Sequence, residues 1–221
     1  MSVPIGSLPI PLPALSHPTG AVAVAIPADV QRTDARSYLA LERASAERHE
    51  LVDGVVVDMA GASYAHNVIV ANLVTALAAS SERSAKPGGG CRPLSSDMRI
   101  KVETTGLYAY PDVLLVCGEP AFEDERADTL LNPIAIFEVL SPSTEAFDRG
   151  EKFAHYRRLP SLRDYVLVAQ SRPRVEHYQR QGDVWVLRET EGLDGRVVLE
   201  GAGCEVALAG IYAGVAAAGG A

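Results

Sequence analysis

Two carboxylates of this chain stand inside apolar runs, where an ionised side chain costs several kcal/mol to bury unless a partner meets it. Asp112 opens Asp112-Val113-Leu114-Leu115-Val116, behind Tyr110-Pro111, and Glu138 lies within Ile134-Ala135-Ile136-Phe137-Glu138-Val139-Leu140. Both runs have strand length and strand composition, and both are set off by Pro or Gly. If they are antiparallel neighbours, the start of the first meets the end of the second, and the two acids converge on one edge of a sheet. That is a hard-cation site in outline, suited to Mg2+ or Mn2+, with Lys152 following on the next helix. Taken singly, Asp112 reads as a strand-start residue capping a backbone N–H, and Lys152 as a solvated helix lysine. Glu138 has no such plain reading, because an acid between Phe137 and Val139 needs a partner, for which an arginine would serve as well as a metal. His66 reads as a capping or core-edge histidine, since no second His or Cys stands near it at ligand spacing. Gly88–Gly90 lacks the Lys and Ser/Thr of a phosphate-cradling loop, and Ser141 and Ser143 flank a proline and not a nucleophile elbow.

The elements that must position these residues follow from period and punctuation. Thr33 or Asp34 caps a helix over 35–44 with Tyr38, Leu39 and Leu41 inward. Asp53-Gly54 supplies the positive φ angles of a tight hairpin turn between Glu50-Leu-Val and Val-Val-Val-Asp58. Val68, Ile69, Val70, Leu73, Val74 and Leu77 recur at helical spacing over 63–80. Met98–Val102 alternates as a strand with one wet face. Beyond Glu138, a helix over 148–158 closed by Pro160 and a buried strand over 165–169 imply a parallel strand–helix–strand crossover. The stretches 175–178, 184–187 and 197–199 extend the sheet with antiparallel strands.

The chain has 221 residues and 48% hydrophobic composition, enough for one domain with appendages. We expect a Pro-rich flexible extension over 1–30, a single domain over 31–212 and a loose tail over 213–221. No apolar stretch approaches the roughly 20 residues of a membrane span. Cys91, Cys117 and Cys204 are scattered and odd in number, which favours reduced thiols in a cytoplasmic protein. A net charge of −8 excludes a nucleic-acid binder that works by its overall field. Its distribution is uneven, however: residues 149–180 hold eight basic side chains against three acidic ones. Arg149, Arg157 and Arg158 in that stretch are candidates for phosphate contacts, against the plain alternative of a solvated face.

Tyr38-Leu-Ala-Leu-Glu42, Arg48-His-Glu50-Leu-Val-Asp-Gly-Val55, Ala65-His66, Ser96-Asp97, Tyr110-Pro-Asp112-Val, Glu138-Val-Leu-Ser-Pro-Ser-Thr144, Asp148, Lys152 and Tyr156 together resemble the Uma-two family of restriction-endonuclease-like proteins, within the PD-(D/E)XK nuclease superfamily. The resemblance covers about residues 33–180. It implies an α/β fold: a restriction-endonuclease-like α/β/α core with a mixed sheet, to which additional antiparallel strands are appended. It makes Asp112 the motif aspartate, Glu138 the second acid and Glu50 an auxiliary acid. The superfamily pattern would place a lysine two residues after Glu138, where this chain has Leu140; in such sequences the ammonium comes from the following helix, which Lys152 fits.

The reading is a metal-dependent endonuclease acting on DNA. Asp112, Glu138 and Glu50, with the Val139 carbonyl, would ligate Mg2+ or Mn2+, and Lys152 would orient water or stabilise charge on the phosphorane-like transition state. DNA is the expected partner, with a homodimer left open. The alternative is a nuclease-like fold that binds or assembles without turnover. A two-carboxylate glycosidase ranks third, because a chain with one Trp offers no sugar platform.

Overall fold

The computed structural model describes residues 32–59, 61–84 and 90–215. The expectations for residues 1–30 and for the chain past 215 lie outside the described residues. Helix α1 (Ala35–Glu42) starts at Asp34, whose carboxylate accepts the Ser37 N–H at 2.8 Å. Its inner stripe runs through Tyr38 and Glu42, four residues apart, and Leu41 is left 47% exposed, contrary to its expected inward place. Glu42 is drawn in by donors: it accepts from His49 N and, at 2.8 Å, from Tyr110 Oη. Strands β1 (His49–Val52) and β2 (Val55–Asp58) form the expected hairpin, with Asp53 and Gly54 at φ 48° and 81°. Helix α2 (Tyr64–Ser84) follows and buries Ile69, Leu73 and Leu77.

Strands β3 (Cys91–Ser95), β4 (Arg99–Val102), β5 (Leu107–Ala109), β6 (Val113–Cys117), β7 (Thr129–Leu130) and β8 (Ala135–Leu140) come next. After β8 the chain turns helical through α3 (Glu145–Phe147), a π-helical turn over Asp148–Lys152, and α4 (Phe153–Tyr156). Strands β9 (Asp164–Ala169), β10 (Arg174–Gln181) and β11 (Val184–Glu191), the ribbon β12 (Arg196–Leu199) with β13 (Cys204–Ala207), and the short α5 (Leu208–Ile211) complete the described chain. The central sheet has the order β11-β10-β9-β8-β6-β3. It is mixed: β8 and β9 are parallel and joined by the helical crossover, and its other pairs are antiparallel. A second sheet has the order β2-β1-β5-β4-β7.

Alternation along the central strands divides the interior in two. Val113, Leu115, Phe137, Val139, Val166 and Val168 pack against α2, with Leu199, Val206 and Ile211 of the terminal ribbon and α5 closing that core. Leu114, Val116, Ile136, Leu140, Tyr165 and Leu167 face the other way, onto Val52, Ile100, Val102 and Leu107 of the second sheet and onto Tyr156, Leu159 and Leu162. One outer layer is therefore helical, and the other is shared between the 145–156 segment and the second sheet. Glu138 has the parity of Ile136 and Leu140, so it points into this shared layer.

Two expectations are corrected here. Arg99 does not face water: its Nη1 donates to Tyr110 Oη at 2.8 Å, its Nε to Thr129 Oγ1 at 3.0 Å, and Asp128 pairs with it at 3.1 Å. Cys91 and Cys117 are not separate thiols. The β3–β6 register sets them directly opposite each other, and they are joined as a disulfide, leaving Cys204 free and buried. Spacing in sequence could not reveal a pairing made by strand register, and the cysteine-based reason for a cytoplasmic protein falls with it. No described helix is long and apolar enough to cross a membrane.

Candidate active site

Strands β6 and β8 run antiparallel with Val113 opposite Phe137, which brings Asp112 to Glu138 as the two runs anticipated. The Val139 N–H donates to Asp112 Oδ2 at 2.7 Å, and the Asp112 N–H to Glu138 Oε2 at 3.4 Å. It is thus the amide of Val139 that touches Asp112. Glu50 arrives from the second sheet, because β1 pairs with β5 at Leu51 and Tyr108. Its Oε1 accepts the Tyr110 N–H at 3.0 Å, tying β1 to the segment that leads into Asp112.

Lys152 enters from the crossover. Its ammonium lies 3.3 Å from Glu138 Oε1, 3.4 Å from Glu50 Oε1 and 3.5 Å from Asp148 Oδ1. Tyr156, one of the residues of the family pattern, donates its hydroxyl to Glu138 Oε1 at 3.0 Å. Glu50, Glu138, Asp148, Lys152 and Tyr156 are all buried, whereas Asp112 is partly open. The sequence-predicted residues Glu50, Asp112, Glu138 and Lys152 thus meet at one place.

Burial raises the Glu138 carboxyl well above its ordinary range. Lys152 pulls it the other way, and the charges of Asp148, Asp112 and Glu50 push it further up. Asp148 is likewise raised by burial against the pull of Lys152. For Lys152 itself, burial alone would lower the pKa, but Glu138, Glu50 and Asp148 more than offset this and hold the ammonium well above the lysine range. Lys152 is therefore a fixed positive charge and not a proton acceptor at neutral pH.

Two residues of this centre escaped sequence reasoning in their roles. His66, read as a cap or core-edge side chain, has Nε2 3.2 Å from Asp112 Oδ2. Its sequence signals were a place near the start of the long helix and the Ala65-His66 pair of the family pattern, neither of which gave it a role. Asp148 was part of the family pattern, and its spacing of four from Lys152 on a helix is the signal that would have assigned it a place. The basic candidates divide. Arg149 is bonded to Glu145 and Glu176, so its charge is already answered. Arg157 and Arg158 follow α4 and are exposed.

The donor set suits a hard dication in chemistry: four carboxylates stand against one ammonium, and Asp148 Oδ1 is buried without a hydrogen-bond partner. Among the described residues, no three His, Cys, Asp or Glu side chains are gathered closely enough to hold an ion as they stand. The ammonium of Lys152 fills the space among three of the acids. Asp112 and Glu138, on neighbouring strand ends with Asp112 partly open, are the pair through which an ion would enter. A cleft of about 690 Å³ between α1 and the loop 123–126 is lined by Arg36, Arg43, Lys101 and Tyr108 and contains none of these acids.

Comparison with known proteins bears on the family and the fold. A family model described as "Putative restriction endonuclease", Uma2, matches residues 35–209. The uncharacterized protein sll1609 of Synechocystis sp. is 37% identical over 167 residues, covering 74% of this chain and 90% of its own length. A second Synechocystis protein, slr1290, is 35% identical over 181 residues, 81% of this chain and 90% of its own. Among solved structures, "a putative nuclease belonging to DUF820" from Anabaena variabilis superposes with a TM-score of 0.61 at 15% identity, over 76% of this chain and 91% of that one.

Proposed function

The chain belongs to the Uma2 family, whose model is described as "Putative restriction endonuclease", and on that premise we propose that it is a metal-dependent endonuclease hydrolysing DNA phosphodiester bonds. The observation that carries the reading is the convergence of Glu50, Glu138 and Asp148, from three separate segments, around the single ammonium of Lys152, with Asp112 from a fourth segment beside Glu138. A fold does not gather that many acidic side chains in and beside its core for stability, since apolar residues of similar volume would serve as well or better. Asp112 and Glu138 would hold Mg2+ or Mn2+, with Glu50 and the Val139 carbonyl as auxiliary ligands. When bound, the ion supplies a lowered pKa for attacking water and charge neutralisation at the phosphate.

The chain's own residues do the rest. Asp112 is aimed by the Val139 N–H, and Glu138 by the Tyr156 hydroxyl. Lys152 keeps its proton and presents a compact positive charge toward the negative charge that develops on the phosphoryl oxygens. Burial of Glu138 and Lys152 keeps bulk water from screening that charge. Arg157 and Arg158 would hold the DNA backbone without reading bases.

A second reading, a nuclease-like fold that binds without turnover, is favoured by one observation: Lys152 already acts as counter-ion to three of the acids. Incubation of wild type and Asp112→Ala with supercoiled, linear and single-stranded DNA and with RNA, in Mg2+, Mn2+ or EDTA, decides between them. Cleavage that needs the cation and disappears in the variant supports the enzyme. DNA binding with no cleavage under any condition selects the binding module.

A further inference from the structure

The hydrogen bonds around Asp112 close into a circuit that begins and ends on adjacent residues of β8. Val139 N donates to Asp112 Oδ2 at 2.7 Å, and His66 Nε2 lies 3.2 Å from the same oxygen. The backbone N–H of His66 donates to Ser63 Oγ at 3.1 Å. Ser63 Oγ donates to Gln170 Oε1 at 2.7 Å, and Gln170 Nε2 donates to the Leu140 carbonyl at 2.7 Å. Four segments are thereby joined at one corner: the entry to β6, the end of β8, the start of α2 and the end of β9.

We propose that His66 is a positioning residue: it orients the Asp112 carboxylate for cation binding, and the Ser63–Gln170 link holds His66 in place. The inference rests on the metal-dependent reading given above. Three observations argue for it. Both donors meet Oδ2, so among the described residues Oδ1 has no protein donor and is the oxygen left to ligate. Nε2 faces a carboxylate, which can only accept, and Nδ1 is buried without a partner. A histidine placed only for its own hydrogen bonding would not be left half-satisfied. Finally, the capping role that sequence assigns to His66 is performed by Ser63, whose hydroxyl accepts the His66 N–H. The imidazole is therefore surplus to the helix start. A carboxylate with one oxygen pinned by two donors and the other free resembles the ligand and outer-partner arrangement of metal centres, where loss of the outer partner costs about 10- to 100-fold in metal affinity.

The test is the Mn2+ affinity of the full chain, read from the electron paramagnetic resonance signal of free Mn2+, with no nucleic acid present. Wild type, Asp112→Ala, His66→Ala, His66→Gln and Gln170→Ala are compared, each checked for folding by circular dichroism. We expect His66→Ala to weaken Mn2+ by about 10- to 100-fold. His66→Gln should recover most of this, because its amide nitrogen reaches about as far as Nε2, and Gln170→Ala should show a smaller loss. A folded His66→Ala with wild-type affinity, or a His66→Gln no better than His66→Ala, overturns the proposal. If His66→Ala does not fold, Gln170→Ala carries the test: weaker binding supports the circuit and unchanged binding overturns it. A wild type that binds no Mn2+, or binds it equally after Asp112→Ala, is a different failure. It removes the metal reading itself and this inference with it.

Discussion

Replacing Lys152 by methionine keeps the length of the side chain and deletes its charge, which leaves Glu138, Glu50 and Asp148 facing one another at a site where the ammonium had stood within 3.5 Å of each. Removing one partner of a buried ion pair costs about 3–5 kcal/mol, because the remaining charge stays buried without compensation. A chain of this size loses about 2–4 °C of melting temperature per kcal/mol, so Lys152→Met should melt on the order of 10 °C below wild type at neutral pH. The sign with pH follows from the carboxyls. Without the ammonium the folded pKa values of Glu138 and Asp148 lie still further above the unfolded ones, a stabilising difference that is present at low pH and lost as pH rises, so the deficit should shrink in the acid range. Mn2+ should then stabilise the variant more than the wild type, since a ligand at 100 times its Kd contributes about 2.7 kcal/mol and the variant has no internal cation to compete. Cleavage at saturating Mn2+ should fall by about a hundredfold or more. Differential scanning fluorimetry across pH, with and without Mn2+, reads the first three effects, and a plasmid-nicking assay reads the fourth. A variant that melts with the wild type, shows no added response to Mn2+ and cleaves at the wild-type rate would refute the placement of Lys152 as the charge at the centre of this site.

Three further outcomes are expected. Glu138→Gln should abolish the Mn2+-dependent rise in melting temperature, and an equal rise in the variant would locate the ion elsewhere. Changing Arg157 and Arg158 together to Ala should weaken DNA binding and flatten its dependence on log salt by about one unit per lost phosphate contact, measured by fluorescence anisotropy; an unchanged slope would return both to a solvated face. Arg43 hydrogen-bonds Asp128 and holds its pKa down to about 2 from 3.8, so this pair stabilises the fold above 3.8 and the contribution is lost as pH falls through about 2. Because Asp128 is 36% exposed, Arg43→Ala should cost no more than about 1 kcal/mol near neutral pH, with the difference from wild type vanishing in strong acid; a constant difference across pH would contradict the pairing.

Much of the fold was legible because its signals were local. Asp53-Gly54 could make only a tight turn, the spacing from Val68 to Leu77 could bury only one face of a helix, and the acids in the 112–116 and 134–140 runs demanded partners. What escaped was long-range. The apolar run around Glu138 is buried on both faces, so nothing in it told which face the acid shares with Lys152 and which faces α2. Strand register alone joined Cys91 to Cys117 across a separation of 26 residues. Leu41 looked as apolar as Tyr38, and the donors that drew Glu42 inward in its place come from His49, past the end of the helix, and from Tyr110, 68 residues along the chain. Of the candidate site, Asp112 and Glu138 could be named from their surroundings in sequence, Lys152 from its place on the helix after them, and Glu50 only through the family resemblance. The role of His66 could not be named, because its partner is an aspartate 46 residues away.

The π-helical turn at Asp148–Lys152 makes the crossover two helices out of phase with one another. A π turn holds one residue more than an α turn, and each helical residue advances the face by about 100°, so the step resets which side of α4 looks at the sheet. Lys152 and Tyr156 keep their common face on one side of that step, while Glu145 and Phe147 belong to the other. Gly150 sits within it, yet a methyl group added there would meet nothing within 4 Å. The turn therefore encodes a count and not a residue. Alanine at position 150 should leave the phase intact, whereas deleting the residue would turn α3 and α4 by about a quarter of a revolution relative to each other and shift Glu145 and Phe147 around the axis from the face of Lys152 and Tyr156. In such a segment the length of the chain is itself a determinant of charge placement, and a one-residue indel would act on the site as strongly as a change to one of its acids.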